Sequence, residues 1–189
     1  MRALVLISGK AGHGKTTLGK IIKEQLEALG EKVVITNNAY YLKDLLRRYW
    51  DWDGKKDERG RWMLQTLGTD IIRNKFNKPN FHVGRMCEDI ELCGDKVDFV
   101  IVDDVRYLNE VEYPKKKFGD KVIAVRVNRI DKETGRPFES SLTEEQKKHS
   151  SDTELDNYAF DYKINSESEE MLESWVQNVL IQILENMEG

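Results

Sequence analysis

The ten residues Ser8-Gly9-Lys10-Ala11-Gly12-His13-Gly14-Lys15-Thr16-Thr17 constrain the fold of this chain more than any other stretch. They contain the pattern G-x-x-x-x-G-K-[ST], follow the apolar run Ala3-Leu4-Val5-Leu6-Ile7, and open a segment with helical periodicity. A strand, a Gly-rich loop and a helix in that order make a phosphate-binding loop. Gly9, Gly12 and Gly14 let the backbone curl so that several N–H groups converge. The positive end of the following helix completes a cradle for phosphate. Lys15 then reaches the β- and γ-phosphates, the Thr16 hydroxyl ligates Mg²⁺, and His13 and Thr17 belong to the same loop. The plainer reading is a Gly-rich turn that holds nothing, and the position of the loop directly behind a strand counts against it. The motif therefore predicts a binder of a nucleoside triphosphate.

With 189 residues the chain is long enough for one well-formed core, and residues 1–189 read as one α/β domain with an inserted lid. Charged residues make up 34% and leave a formal net charge of −4, which argues against bulk attraction to nucleic acid or to a membrane surface. The cluster Lys115-Lys116-Lys117 reads as solvated helix surface. Cys87 and Cys93 have neither C-x-x-C nor zinc spacing, so two free thiols in a reducing compartment are expected. The first apolar run is too short for a signal peptide, and no stretch reaches the length of a bilayer span. The expectation is a soluble cytoplasmic protein, monomeric or homodimeric, with a small-molecule partner and neither nucleic acid nor membrane.

Along the chain, Leu18, Ile21, Ile22, Leu26 and Leu29 recur at helical spacing up to Gly30. Strands are expected at Lys32–Thr36, Val97–Val102, Lys121–Val127 and Phe160–Ile164, in addition to the first run. Helices are expected over Tyr40–Trp50, Glu58–Phe76, His82–Leu92 and a closing stretch from Ser166-Glu167-Ser168-Glu169, with a weak helical piece near Thr143–Lys148. Strands alternating with helices predict a three-layer α/β/α arrangement around a five-stranded parallel sheet, with ligands at the carboxyl ends of the strands.

Asp103-Asp104 ends the apolar strand Val97–Val102, where a phosphate-loop enzyme holds Mg²⁺ or its water shell; a polar strand end that caps the next helix is the other reading. Arg106 faces the same crevice or is a plain surface arginine. In the helix Arg61–Arg73, Met63, Leu67 and Ile71 fall on one stripe, and Arg61, Gln65, Thr69 and Arg73 on another at four-residue steps. Gly68 inside that helix costs about 1 kcal/mol relative to Ala, so either something such as a base or sugar approaches its backbone, or the helix breaks there. Arg126, Arg129 and Arg136 bracket a polar segment that reads as a closing lid or as a disordered basic loop. Trp50, Trp52 and Trp62 read as core or hinge packing, and His149 as structural or exposed. No N-K-x-D, H-R-D or D-F-G element is present, which weakens a GTPase and removes a protein kinase.

Several segments resemble the phage-type deoxynucleoside monophosphate kinases and their bacterial relatives. They are the loop itself, Ala39–Lys43, Trp52–Asp57, Arg61–Arg73, Asp104–Glu110 and His149–Asp152. Animal phosphomevalonate kinase is a more distant relative with a similar L-Q-x-x-G-T signature. The resemblance implies the P-loop NTPase fold of a nucleoside-monophosphate kinase, with an acceptor-binding insertion at about 37–93 and a lid at about 128–157. It implies transfer of the ATP γ-phosphate to a (deoxy)nucleoside 5′-monophosphate, with ATP and Mg²⁺ as cofactors. Arg61, Gln65, Thr69 and Arg73 would lie at the acceptor and Lys43 near its phosphate. Lys15, Asp104 and Arg106 would lie in the reaction crevice, with Thr16 and Asp104 at the metal and Arg129 and Arg136 in the lid. Tyr40-Tyr41 and Asp152 depart from the family pattern. Two other readings remain: a kinase for another phosphorylated small metabolite, and a nucleotide-binding switch that acts through a protein partner.

Overall fold

The computed structural model describes residues 1–140, 142–143 and 147–186. Strands β1 (Ala3–Ser8), β2 (Val33–Thr36), β3 (Phe99–Val105), β4 (Val122–Arg129) and β5 (Tyr162–Ser166) form one sheet in the order β2-β3-β1-β4-β5. Every pairing is parallel. The central strand β1 is buried along its whole length, as a continuous apolar run requires.

Alternation along β1 sorts its side chains between two layers. Ala3, Val5 and Ile7 pack with Leu18 and Ile22 of α1 (Lys15–Ala28) and with Leu172, Val176 and Leu180 of the closing helix. Leu4 and Leu6 pack on the other face with Val83, Met86, Cys87 and Ile90 of α4 (Phe81–Cys93) and Val111 of α5 (Asn109–Phe118). Each fully buried Leu, Ile or Val contributes roughly 1.5–3 kcal/mol, so both helical layers are held by the period-two pattern of one strand. The α/β/α sandwich expected from the strand–helix alternation is the observed architecture.

Between β2 and β3 lie α2 (Tyr40–Tyr49), α3 (Glu58–Gln65) and α4, with their own apolar cluster of Leu42, Leu46, Trp52, Met63 and Ile72. Helix α3 does not break at Gly68. It continues as a π-helical segment, Thr66–Lys75, in which the Phe76 N–H donates to the Ile71 carbonyl. The wider winding rotates the buried stripe: the α-helical spacing predicts Ile71 inward, but Ile72 is buried and Ile71 only half-buried. Trp52 is core, whereas Trp50 and Trp62 are 51% and 63% exposed and do not fill the packing role expected of them.

Helix α5, with Pro114 inside it, was not marked by apolar spacing. Cys87 and Cys93 are free thiols. A short helix α6 (Ser150–Thr153) is capped by His149, whose Nδ1 accepts from the Ser151 N–H, so this histidine is structural. The closing helix begins at Ser168, whose hydroxyl accepts from the Met171 N–H, and runs as α7 (Glu169–Trp175), a π turn (Val176–Leu180) and α8 (Ile181–Asn186). Of the helical piece expected over Thr143–Lys148, residues 144–146 lie outside the described residues, as do 141 and 144–146 of the expected lid. No helix among the described residues is long and apolar enough to cross a membrane.

Candidate active site

The phosphate loop runs from the end of β1 to the start of α1. Gly12 and Gly14 have φ of 79° and 88°, and Gly14 stands at the N-cap of α1 with no side chain capping the first turn. Those first-turn N–H groups therefore stay available to an anion. Gly9 is required for another reason: a Cβ there would lie 2.6 Å from the Val127 carbonyl oxygen of β4. The Lys15 Nζ donates to the carbonyls of Gly9 and Lys10 at 2.6 and 2.9 Å, which folds the side chain over the loop. Burial, reinforced by Arg106, brings its pKa down to about 7. A cavity of about 700 Å³ opens on this loop, and Gly12, His13, Gly14, Lys15, Thr16 and Thr17 all line it.

Asp103 and Asp104 both line that cavity as well. Neighbouring residues of a regular strand point to opposite faces. Here the register against β1 slips between Val102 and Val105, so that the two aspartates stand opposite the single residue Ile7. This bulge accounts for two consecutive carboxylates facing one crevice. Their surroundings differ. Asp104 accepts from the N–H groups of Asn38 and Ala39 at 2.7 and 3.2 Å and from Asn38 Nδ2 at 3.3 Å, which anchors the start of α2. Asp103 makes no hydrogen bond or ion pair among the described residues. Hydroxyl and carboxylate oxygens of this kind suit Mg²⁺, and Thr16 with Asp103 and Asp104 would hold it or its water shell. The sequence pointed to Thr16 and Asp104 for the metal, with Asp103 read only as part of the same polar strand end.

A second, smaller cavity of about 160 Å³ adjoins the first. Arg61, Gln65, Thr69 and Arg73 all line it, so the polar stripe does converge on one space. Their side chains are not equally free. Thr69 Oγ1 pairs with the Tyr107 hydroxyl at 2.8 Å. Arg73 donates from Nη1 to the Pro79 carbonyl and Asn109 Oδ1 and from Nη2 to Glu110 Oε1, and it lies over the Tyr107 ring at 3.9 Å. What approaches Gly68 is Leu42, whose Cδ2 would lie 2.7 Å from a Cβ there, so the glycine accommodates α2.

Lys43, Lys56, Arg61, Asp104 and Arg106 line both cavities and mark where the two meet. Lys43 donates to Asn37 Oδ1 and stands 4.0 Å from Asp104. Lys56 was not singled out in the sequence, where it sits in a polar turn. Its pKa is lowered by burial, with Lys43 and Arg106 pushing the same way. The turn is closed by Trp52 Nε1–H, which donates to the Lys55 carbonyl at 2.9 Å, and Gly60 is required beside it, since a Cβ there would lie 2.0 Å from that oxygen. Arg106 is set by Glu110, whose Oε2 accepts the Arg106 N–H at 2.8 Å. Glu110 is fully buried, and burial raises its pKa to about 7 against the pull of Arg73.

The segment after β4 begins as a hairpin, with an antiparallel bridge between Ile130 and Pro137. His13 fastens it to the phosphate loop. Its Nε2 pairs with the Phe138 carbonyl at 3.0 Å and its Nδ1 accepts the Arg129 N–H at 3.2 Å. The ring is therefore the neutral tautomer with Nε2–H, and burial lowers its pKa. His13 lines the phosphate cavity but spends both nitrogens on this clasp. Arg129 lines the phosphate cavity, while Arg136 lines a separate one on the far side of the hairpin, so the two arginines are not brought together. Arg126 is buried between Ser8 Oγ and Asp156.

A family model described as deoxynucleotide monophosphate kinase matches residues 52–157, more than half of the chain. UPF0200 proteins of Saccharolobus islandicus and Saccharolobus solfataricus are 29% identical over 129 residues, which is 66% of this chain; the chain spans 57% of their length. Among solved structures, a gluconokinase from Sinorhizobium meliloti superposes with a TM-score of 0.55 at 14% identity, covering 99% of this chain and 96% of the other. The Mycobacterium tuberculosis APS kinase in complex with AMPPNP and APS gives 0.53 at 13% identity, covering 97% of each chain. These likenesses show the P-loop kinase fold.

Proposed function

The chain belongs to the deoxynucleotide monophosphate kinase family, and from that premise we propose that it transfers the γ-phosphate of ATP to a (deoxy)nucleoside 5′-monophosphate. The observation that carries this reading is the junction of the two cavities. A phosphate-loop cavity meets a smaller, more apolar one at a rim of four cations, Lys43, Lys56, Arg61 and Arg106, with Asp104. Two phosphorylated molecules bound end to end would bring their negative charge to that rim.

The loop N–H groups and Lys15 hold the triphosphate, and the pinned starting position of Lys15 is released when phosphate oxygens replace the carbonyls of Gly9 and Lys10. Bound Mg²⁺ supplies Lewis-acid neutralisation of the phosphate oxygens. Lys43, Lys56, Arg61 and Arg106 spread the charge that develops in transfer and keep two anionic groups in contact. No general base is needed, because the acceptor phosphate is already an anionic nucleophile. The helices of about 37–93 form the acceptor-binding insertion, and residues of about 128–157 the lid. Lid closure carries Arg136 toward the phosphates, beside Arg129 at the end of β4, and excludes water, which would otherwise take the phosphoryl group.

The test is ADP production from Mg·ATP with each common ribo- and deoxyribonucleoside monophosphate. One or a few acceptors should stimulate strongly, and Lys15→Ala should remove the stimulation while leaving the circular dichroism unchanged. Equal, slow hydrolysis across the whole panel would overturn the reading.

A further inference from the structure

The acceptor cavity has two ends. Lys43, Lys56, Arg61 and Arg106 belong to the end it shares with the phosphate loop. His82, Gly68 and Leu42 line only the other end. His82 projects there from the first turn of α4 and is 4% exposed. Neither of its ring nitrogens has a hydrogen-bond partner among the described residues. A buried imidazole with both nitrogens unpaired is costly and calls for an explanation, and the cavity it lines supplies one.

We propose that His82 reads the hydrogen-bonding edge of the acceptor's nucleobase through one of its ring nitrogens. This rests on the nucleoside-monophosphate reading above and adds the residue that selects among bases. Three observations favour the base over the phosphate. His82 lines the smaller cavity and not the phosphate-loop one. The ring stays neutral, since burial and then Arg73 hold its pKa below the usual histidine value, and the Gly68 carbonyl, outside hydrogen-bonding geometry, offsets them only in part. Leu42, seated against Gly68, lines the same end with apolar surface of the kind that covers an aromatic ring.

Two polar groups at that end are taken. Thr69 pairs with Tyr107, and Arg73 spends both terminal nitrogens on Pro79, Asn109 and Glu110. Gln65, which lines the same cavity and whose side chain makes no hydrogen bond among the described residues, and Asn38, whose buried Oδ1 has no partner among them, are left to share the task.

The experiment compares His82→Leu and His82→Gln with the parent chain over the panel of nucleoside monophosphates. Loss of a base-reading hydrogen bond should lower kcat/KM for the preferred acceptor about 10-fold or more in the Leu variant. Poor acceptors should change little, the KM for ATP should hold, and Gln should recover part of the loss. An equal fall for every acceptor would mean that the ring only packs or touches the sugar, and would overturn the proposal. A second readout needs no variant. Titration of the parent protein with its preferred monophosphate should shift the His82 ring resonances, and a non-hydrolysable ATP analogue should not. Calorimetric binding of the monophosphate without that shift would overturn this proposal alone. No binding by any monophosphate would instead remove the kinase reading on which it rests.

Discussion

Arg73 and Glu110 form a buried ion pair, 2.5 Å between Nη2 and Oε1, that ties the π-helical segment to the first turn of α5. The second carboxylate oxygen of Glu110 accepts the N–H groups of Arg106 and Tyr107. A residue on the acceptor side thereby holds the backbone of a residue in the reaction crevice. Arg73 was expected to bind the acceptor; it lines the smaller cavity, three of its five guanidinium N–H donors are held by Pro79, Asn109 and Glu110, and through Glu110 it also places Arg106.

Arg73→Ala should cost about 3–5 kcal/mol of stability, because it leaves a buried carboxylate without its counter-ion. Urea unfolding at fixed pH measures this. The pH dependence has a definite sign. Burial raises the folded-state pKa of Glu110 to about 7 from 4.5, so across that interval the folded state binds more protons than the unfolded one. Stability from this group is highest below the unfolded pKa and falls as pH rises through the folded value. The deficit of Arg73→Ala should be smaller at pH 5 than at pH 8, and a pH-independent deficit would mean that Glu110 is not the group left stranded.

Nucleotide binding should take up protons. The folded-state pKa of Lys15 is lowered to about 7, and phosphate oxygens around its Nζ would restore the charged form. ATP-analogue titrations near pH 8, run in buffers of different ionisation enthalpy, should report uptake of up to about one proton per site. Affinity should fall as pH rises above that value. Lys15→Met should remove the uptake.

The two aspartates of the bulge should separate in mutagenesis. Asp104→Ala removes the acceptor for two backbone N–H groups at the start of α2 and should cost roughly 1–3 kcal/mol in stability. Asp103→Asn breaks no contact among the described residues, so its melting temperature should stay near the parent's. Its turnover should nonetheless fall by at least about 10-fold, with a higher Mg²⁺ requirement, as expected for a group at the metal. Equal effects on melting and turnover in both variants would assign Asp103 no special part.

Gly60→Ala should be among the harsher single-methyl additions in the chain. Its Cβ would meet the Lys55 carbonyl oxygen at 2.0 Å and Trp52 Nε1 at 2.7 Å, the two atoms that close the turn by a 2.9 Å hydrogen bond. A cost at the upper end of about 1–3 kcal/mol is expected from thermal unfolding. Displacement of Lys56 should also lower kcat at temperatures where the variant is folded.

Much of this was legible in local pattern. The period-two and helical spacings located every strand and five of the six longer stretches of helix among the described residues to within a few residues, because burial of an apolar face is encoded within a short window. The phosphate loop was legible for the same reason: Gly9, Gly12, Gly14, Lys15 and Thr16 act as neighbours in sequence. Helix α5 escaped because Pro114 and three consecutive lysines blur its apolar stripe.

By itself, then, the sequence determined the sheet, the loop and the convergence of Arg61, Gln65, Thr69 and Arg73 on one helix face. Tertiary structure decided which of those side chains are free. The bulge at Asp103-Asp104 arises from register against Ile7, the wider winding after Gln65 turns Ile72 inward, and Arg73 meets a carboxylate 37 residues away. His13 reaches the Phe138 carbonyl 125 residues away. Such contacts depend on which elements pack together, and packing selects them through burial and hydrogen bonding summed over distant segments, which no local window contains.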